Sequence, residues 1–355
     1  MEKPVSLLVL GASYGSLFAI KSLAAGHRVR LVCLPAEAEA IERDGVRVRM
    51  PVKARGDLVE VHSRALPGGL RAGGAEQTDP AEHDLVVLAM QEPQYGVPAV
   101  RELLGRIARA RLPCLSIMNM PPLPYLARIP AIPLDVVRGC YTDASVWDGL
   151  EPALMTLCSP DPQAFRPAGE ALNVLQVRLA TNFKAARFPS EAHTALLRRL
   201  EADIEAVRYG HEGERFELPV KLRVHESVFV PLAKWAMLIA GNYRCIQREG
   251  IRSIRDAVLG DATTARRVYD WVVRLCVALG AAQGDLVPFE KYAAAAQSLA
   301  SPSSVARALE AGATDVERVD RLVQTIGQAI GMRLTELDET VALVDARLER
   351  NRAAA

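Results

Sequence analysis

The stretch VSLLVLGASYGS, residues 5–16, decides the fold class of this chain. Its first six residues are almost continuously apolar, which is typical of a strand buried on both faces of a parallel sheet. Two glycines follow within five residues, and residues 17–25 then have the composition of a helix that ends at Gly26. A strand, a glycine turn and a helix in this order are typical of the first unit of a dinucleotide-binding domain.

The same alternation of short apolar runs and helical stretches continues to about residue 118. The predicted core strands are residues 29–34, 84–89 and 114–118, and the predicted helices are residues 36–43 and 97–110. Residues 46–50 and 58–61 look more like a small side hairpin than part of the core sheet. This spacing predicts an α/β, Rossmann-type doubly wound sheet with right-handed crossovers.

The second half of the chain has helical periodicity almost throughout. Predicted helices are residues 228–248, 263–279, 288–300, 303–311, 315–330 and 335–350. At roughly 150 residues per domain, 355 residues suggest two domains. We predict a Rossmann-like dinucleotide-binding domain over residues 1–187, a charged inter-domain insert over 188–222 that contains a solvated helix, and an all-α C-terminal substrate and dimerisation domain over 223–355.

The composition argues against several classes of protein. Half of the residues are hydrophobic and 24% are charged, as in globular proteins, which argues against intrinsic disorder. The 43 basic and 42 acidic residues leave a net charge of +1, so we expect a small-molecule substrate and neither nucleic acid nor a membrane surface as partner. The six cysteines form no C-x-x-C pair, so we expect no metal site.

The same features bear on location and assembly. No apolar run is long enough to span a membrane, and the apolar segment near the start is too short for a signal peptide. We therefore expect a cytoplasmic protein. The apolar stripes of the helical half predict a homo-oligomer, and a dimer is the expected form.

The glycine turn is a candidate dinucleotide site, because a helix N-terminus offers free N–H groups and a positive dipole to a pyrophosphate. The residues of this turn are Gly11, Ala12, Ser13, Tyr14, Gly15 and Ser16. A strict G-x-G-x-x-G is absent: either Ser13 and Ser16 replace the second and third glycines, or one glycine is deleted. A turn that needs small residues only for packing is the alternative. The second strand ends in Cys33 and Leu34, which choose neither NAD nor NADP.

Six segments of the chain, in this order, resemble those of the ketopantoate reductase family. They are ERDGV at 42–46, DLVVLAMQ at 84–91, SIMN at 116–119, KWAMLIAGN at 234–242, the segment from SSV at 303–305 to GATDVE at 312–317, and LTELDET at 334–340. The resemblance covers nearly the whole chain. It implies a reductase in which NAD(P)H gives a hydride to the keto carbon of a 2-oxo acid.

The resemblance also assigns roles to residues. Lys234 becomes the general acid, Asn119 and Asn242 position the substrate and the nicotinamide, and Ser304 and Asp315 hold the polar groups of the substrate. The residues themselves are consistent with this chemistry, because an ammonium stabilises the negative charge that reduction builds on oxygen and then gives up a proton. Lys234 and Asn242 lie eight residues apart, so one helix can present both to the same cleft.

For the cofactor, the resemblance adds Met90, Gln91 and Asn119 to the glycine turn and favours NADP, although the residues do not decide between NADP and NAD. Gln91 stands where the family has a lysine, and Leu238 stands where it has a further asparagine. Met120 replaces the glycine that follows the loop asparagine. A changed substrate is the simplest explanation of these departures.

Two alternatives stay open from the sequence. The first is a non-redox acid–base enzyme of the lyase type on the same fold, which the altered glycine turn and Gln91 motivate. The second is a non-catalytic dinucleotide-binding sensor, against which the presence of both Lys234 and Asn242 argues.

Overall fold

The structure is a computed structural model that describes residues 3–53 and 56–355. The chain forms two compact units, each built from more than one segment. Unit 1 contains the segment that ends at Met90, Gln94–Tyr125 and Val146–Glu226. Unit 2 contains Gln91–Pro93, Leu126–Ser145 and Ser227–Ala355. Two short excursions of the chain therefore belong to unit 2 although their neighbours in sequence belong to unit 1.

Unit 1 holds the strands that the structure describes. They are β1 Ser6–Leu10, β2 Arg28–Val32, β3 Arg47–Val52, β4 Asp57–His62, β5 Gly69–Gly73, β6 Leu85–Leu88, β7 Cys114–Ile117, β8 Met155–Ser159, β9 Gln163–Phe165, β10 Val174–Leu179, β11 Phe183–Ala186, β12 Tyr209–His211, β13 Glu214–Phe216 and β14 Leu222–His225. The first helices along the chain are α1 Ala12–Ala24, α2 Pro35–Asp44, α3 Pro98–Arg109, α4 Leu123–Leu126, α5 Leu134–Val137 and α6 Glu191–Ala206; α5 lies in unit 2.

The main sheet has eight strands in the order β14-β11-β8-β7-β6-β1-β2-β5. From β5 to β8 all neighbours are parallel, and their order is that of a doubly wound dinucleotide-binding sheet. Only the β8–β11 pair is antiparallel. The predicted α/β fold class is thus confirmed. The predicted side hairpin is confirmed as well, because β3 and β4 pair in a separate sheet.

That second sheet has the order β4-β3-β10-β9 and packs on α1. The helix is therefore covered on two sides, which explains why it is apolar nearly all round. The buried apolar residues of α1 are Ala12, Leu17, Phe18, Ala19, Ile20 and Leu23. Strands β9 and β10 were not predicted, since β10 pairs with β3, which lies more than a hundred residues earlier in the chain, and β9 pairs with β10.

The structure corrects the prediction for residues 188–222. They do not form an insert between domains, because the whole stretch belongs to unit 1. Helix α6 packs against α1 and β14, and it buries Leu197, Leu200 and Ile204 in the core of that unit. Charged residues occupy the remaining faces of α6. A helix with this many charged residues and one apolar stripe is easily mistaken for a solvated helix in the sequence. Unit 1 therefore extends to Glu226 rather than to residue 187.

Unit 2 is helical over the residues that the structure describes. Its further helices are α7 Lys234–Met237, α8 Ile254–Leu259, α9 Ala262–Ala278, α10 Phe289–Ala296, α11 Ser304–Glu310, α12 Val319–Ala329 and α13 Thr335–Ala354. The predicted helices are confirmed, but residues 228–248 form a shorter and irregular helix, in which 3₁₀, α, π and 3₁₀ segments follow one another without a break from Pro231 to Cys245. None of the described helices combines the length and the apolar character that a membrane crossing needs.

Lys21 is an unusual core residue of unit 1, with 1% of its surface exposed. Its ammonium donates to the carbonyl oxygens of Leu218 at 3.1 Å and Pro219 at 2.9 Å, which ties α1 to the segment before β14. Burial lowers the pKa of Lys21 to about 7, with a smaller contribution from Lys221. Positive charge is therefore disfavoured at this position in the folded protein.

This depressed pKa predicts a rise of stability with pH. Between pH 7 and about 10 the unfolded chain keeps a proton on Lys21 that the folded protein has lost, so the free energy of unfolding increases with pH. Relative to Lys21→Met, the wild type should gain up to ~1.4 kcal/mol per pH unit in this range. Urea unfolding of both proteins at pH 7, 8, 9 and 10 measures this.

The exposed Lys291→Met variant controls for the loss of one positive charge. A difference between wild type and Lys21→Met that stays constant with pH would show that Lys21 remains charged in the folded protein.

Candidate functional site

The turn after β1 consists of a single residue, Gly11, and α1 begins at the next position. Gly11 has φ +99°, and its N–H donates to the carbonyl of Val32 at 2.8 Å. A Cβ at this position would lie 2.6 Å from Cγ of Met90 and 2.8 Å from the carbonyl oxygen of Ala89. Both the left-handed backbone and the close packing therefore require glycine.

Gly15 lets α1 lie directly on the sheet. A Cβ there would come within 2.7 Å of Cγ1 of Val9 and 3.3 Å of Cβ of Ala89. In a dinucleotide fingerprint, the first glycine permits the tight turn and the third permits close packing of the helix on the strand. Gly11 and Gly15 thus correspond to the first and third glycines, which fits the hypothesis that the middle glycine of the fingerprint is deleted.

The remaining side chains of the turn differ in what they offer a ligand. Ser13 is exposed, and no side chain caps the N-terminus of α1. Ser16 is buried and donates to the carbonyl of Ala12 within the helix. Tyr14 donates to the carbonyl of Pro162 at 2.7 Å, which fastens the start of β9 to the first turn of α1. Ser13 and the backbone N–H groups therefore form the accessible part of the turn.

Other predicted cofactor residues follow neighbouring parallel strands. Met90 comes after β6 and lies against Gly11, and the half-buried Asn119 comes after β7. Since β1, β6 and β7 are adjacent and parallel, their carboxyl ends share one edge of the sheet. The structure thus brings Gly11, Met90 and Asn119 to the edge where doubly wound sheets bind ligands. Met120 is fully buried and anchors the segment after Asn119.

The predicted lysine helix of unit 2 contains a π-helical segment. Lys234 opens the short helix α7, and Leu238–Asn242 then form a π-helix. In a regular α-helix, eight residues make about 2.2 turns, which would place Asn242 well off the line of Lys234. The i→i+5 bonds of a π-helix put more residues into each turn and so reduce this angular offset. Such segments occur often at functional sites.

Buried partners hold the π-helical segment in place. The Tyr292 hydroxyl donates to the carbonyl of Met237 at 3.0 Å, directly before the segment begins. It fills the space beside Gly241 so closely that a Cβ there would overlap it. At the other end, Ser303 donates to the carbonyl of Asn242 at 2.7 Å. The backbone of Asn242 is therefore fixed by residues that the sequence analysis did not single out.

Lys234 and Asn242 are the partly exposed polar residues of this otherwise buried stretch. Both are half-buried, whereas Trp235, Ala236 and Leu238 between them are at most 4% exposed. The segment thus presents an ammonium and an amide out of apolar surroundings, where charge interactions are stronger than in water.

The predicted serine and acid lie at the surface of unit 2. Ser304 is the exposed first residue of α11, while its buried neighbour Ser303 caps the helix. Asp315 is exposed and pairs with Arg352 of α13 at 2.8 Å. Glu317, two residues further on, is half-buried, and its carboxylate accepts the backbone N–H of Glu92 at 3.3 Å. Sequence spacing alone did not single out Glu317.

Glu92 is only 2% exposed and fixes the short segment that carries Gln91. Its carboxylate accepts the backbone N–H of Thr142 at 3.2 Å and the hydroxyl of Thr142 at 2.9 Å. Burial raises the pKa of Glu92, and the bonds from Thr142 oppose that shift. Within unit 2, the predicted cofactor residue Gln91 therefore directly precedes Glu92, whose backbone N–H donates to Glu317. Gln91 itself is exposed.

The packing of Tyr292 predicts a large effect of Gly241→Ala. The added methyl group overlaps the Tyr292 hydroxyl, so we expect a loss of about 1–3 kcal/mol of stability. Removing the hydroxyl should relieve part of this loss, so the double variant with Tyr292→Phe should be more stable than additive single effects imply. Thermal unfolding of the two single variants and the double variant measures the coupling.

Gly284→Ala is the matched control, because a Cβ at Gly284 meets no atom within 4 Å. Strictly additive effects of Gly241→Ala and Tyr292→Phe would contradict the proposed packing.

Comparison with known proteins gives no match in sequence and clear matches in structure. No family model matches the chain, and none of the curated proteins is similar to it in sequence. The 2-dehydropantoate 2-reductase from Methylococcus capsulatus is 16% identical with a TM-score of 0.65, covering 98% of each chain. A ternary structure of D-mandelate dehydrogenase with NADH and anilino(oxo)acetate is 13% identical with a TM-score of 0.63, covering 98% of this chain and 100% of that one.

A dimeric ketopantoate reductase from Staphylococcus aureus is 9% identical with a TM-score of 0.61, and the match covers 98% of this chain and 100% of that one. These matches extend through both units, which agrees with the order of the six segments in the sequence. The chain therefore has the fold of the ketopantoate reductases.

Proposed function

We propose that this protein is an NAD(P)H-dependent reductase of a 2-oxo acid or a related keto compound, with NADPH as its cofactor. The observation that carries the proposal is the Gly11 turn at the start of α1, at the carboxyl edge of a sheet with dinucleotide-binding strand order. The likeness to a 2-dehydropantoate 2-reductase and to an NADH-bound D-mandelate dehydrogenase supports the same class of reaction.

The residues of unit 1 fit a dinucleotide. The N-terminus of α1 has no side-chain cap, so its first N–H groups are available to a pyrophosphate. Gly11 keeps the turn free of a side chain, and the exposed Ser13 adds a hydroxyl donor. Asn119, at the end of β7, would hold the nicotinamide. The missing middle glycine leaves the pyrophosphate to the helix N-terminus rather than to a longer loop.

Unit 2 would supply the proton. When bound, NADPH supplies the hydride that adds to the keto carbon of the substrate. The ammonium of Lys234 donates a hydrogen bond to the keto oxygen, stabilises the negative charge that develops there and transfers its proton to that oxygen. Asn242 donates its amide to the same polar end of the substrate. Ser304 and the acid segment around Asp315 and Glu317 would hold its remaining polar groups.

Two further features belong to this proposal. The six cysteines are free thiols, five of them buried, as expected of a protein in the reducing cytoplasm. A homodimer is the proposed assembly, and the dimeric reductase from Staphylococcus aureus supports it. Sedimentation analysis of the purified protein tests the assembly.

A charge placed at the exposed Ser13 tests the dinucleotide site. Ser13→Asp adds a negative charge where the pyrophosphate would lie, so NADPH and NADH should each bind at least about tenfold more weakly. The variant should stay folded, because an aspartate in the first turn of a helix is favourable. Fluorescence and calorimetric titrations measure the dissociation constants.

The neutral Ser13→Asn variant, with a side chain of similar size, should keep most of the affinity. Unchanged binding by Ser13→Asp would place the dinucleotide elsewhere, and no binding by the wild type would favour non-redox chemistry at Lys234.

The role of Lys234 predicts a loss in turnover and not in cofactor binding. With a substrate found by screening 2-oxo acids, Lys234→Gln should lower kcat by roughly 10²- to 10⁴-fold while the dissociation constant for NADPH is kept. Steady-state kinetics and titration measure the two quantities. Lys291→Gln, at an exposed lysine of α10, is the control. Full turnover by Lys234→Gln would exclude the general-acid role.

A further inference from the structure

The end of β2 lacks the charged residue that usually reads the adenosine ribose. In doubly wound dinucleotide-binding folds, an acid near this point binds the ribose 2′-hydroxyl of NAD, and an arginine accommodates the 2′-phosphate of NADP. Here β2 ends at Val32, which lies beside Gly11 through a 2.8 Å backbone hydrogen bond. Cys33 and Leu34 follow, and neither carries a charge that could select the cofactor.

The second sheet brings an arginine to this position from far along the chain. Arg166 directly follows β9, and its guanidinium forms an ion pair with Glu37 in the first turn of α2. It also lies close enough to Cys33 to oppose the rise in the pKa of that thiol, which burial causes. An arginine that is 133 residues away in sequence from Cys33 thus stands at the end of β2.

The position of Arg166 is tied to the dinucleotide turn by a second contact. The hydroxyl of Tyr14, in the first turn of α1, donates to the carbonyl of Pro162 at 2.7 Å. Pro162 directly precedes β9, and β9 pairs with β10 in the sheet that packs on α1. The short strand that ends before Arg166 is therefore fastened to the helix that begins at Gly11.

The exposure of the two partners decides which one is available to a ligand. The side chain of Glu37 is 10% exposed, and its carboxylate is engaged by Arg166. The side chain of Arg166 is 31% exposed, and a guanidinium has five N–H donors, more than one carboxylate uses. A carboxylate is the usual partner of the ribose 2′-hydroxyl in NAD-binding folds, whereas a 2′-phosphate needs N–H donors and positive charge. The accessible group is the donor, which matches a phosphate.

We propose that Arg166 determines cofactor specificity by binding the 2′-phosphate of NADPH, with Glu37 holding its guanidinium in place. The proposal rests on the proposed function, since it assigns a residue to the cofactor of that reductase. It makes Arg166, which directly follows β9, the specificity residue, in place of a residue on β2 or in the loop that follows β2.

The test compares ligands that differ only in the 2′-phosphate. Binding of NADPH, NADH, 2′,5′-ADP and 5′-AMP is measured by calorimetry for the wild type and for Arg166→Gln. The variant should lose roughly 10- to 100-fold in affinity for NADPH and 2′,5′-ADP, because a charged hydrogen-bonded contact is removed. Its affinity for NADH and 5′-AMP should stay within about twofold of the wild type.

Arg178→Gln is the matched control, because Arg178 is an exposed arginine of β10 whose guanidinium carbon lies 5.2 Å from the ring centroid of Phe165. It removes the same charge from the neighbouring strand β10 and should leave all four affinities unchanged. Glu37→Gln removes the ion pair that holds the Arg166 guanidinium, so it should weaken binding of NADPH and 2′,5′-ADP and leave NADH and 5′-AMP unchanged. Melting temperatures show whether each variant is folded.

The outcomes separate this proposal from the proposed function. If the wild type binds dinucleotides but Arg166→Gln leaves the NADPH to NADH affinity ratio unchanged, the role of Arg166 is wrong and the reductase proposal stands. If the wild type binds NADH more tightly than NADPH and Glu37→Gln weakens NADH binding, Glu37 is the ribose-binding residue instead. A wild type that binds neither dinucleotide overturns both proposals.

Discussion

The left-handed turn at Gly11 is the constraint on which the rest of unit 1 depends. One residue joins β1 to α1, its N–H is bonded to the end of β2, and the end of β6 fills the space where a side chain would be. The helix must then run back over β1 at close range, which Gly15 permits. The second sheet also packs on this helix. A short turn thus determines where the helix N-terminus lies relative to three parallel strands.

In unit 2, two partly exposed polar residues, Lys234 and Asn242, lie on an otherwise buried helical stretch. A regular helix cannot align residues eight positions apart, and the π-helical segment reduces their offset. The hydroxyls of Tyr292 in α10 and of Ser303, the N-cap residue of α11, donate to the carbonyl groups of Met237 and Asn242 at the two ends of this segment. Residues in the core of unit 2 therefore fix the backbone that positions Lys234 and Asn242.

Local sequence signals predicted the central parallel strands β1, β2, β6 and β7, the glycine turn and most of the helices, because continuous apolar runs and 3.6-residue periodicity depend on few neighbours. The parallel strands β5, β8 and β14 were not predicted. Elements whose partners are remote in sequence were not predicted. Strand β10 pairs with β3 from far along the chain, and the three-residue strand β9 pairs with β10. The many charged residues of α6 made its apolar stripe hard to recognise in the sequence. Tyr292, Glu317 and Arg166 were missed for the same reason, since the proposed role of each depends on a contact with a residue far away in sequence. Lys234 and Asn242 do lie on one helical stretch, as their spacing predicts, but its π-helical segment has no signal in the sequence.

The path of the chain has a consequence for how this protein can be divided. Unit 2 owns Gln91–Pro93 and Leu126–Ser145, two pieces that emerge from the middle of the other unit. Through them Glu92 binds Thr142 and the acid segment at Glu317, and α5 covers α12. A fragment that starts at Ser227 would lose these pieces and expose an apolar helix face. The helical half is therefore not a portable module, and gene fusion or recombination that swaps it as one contiguous block would break its own core.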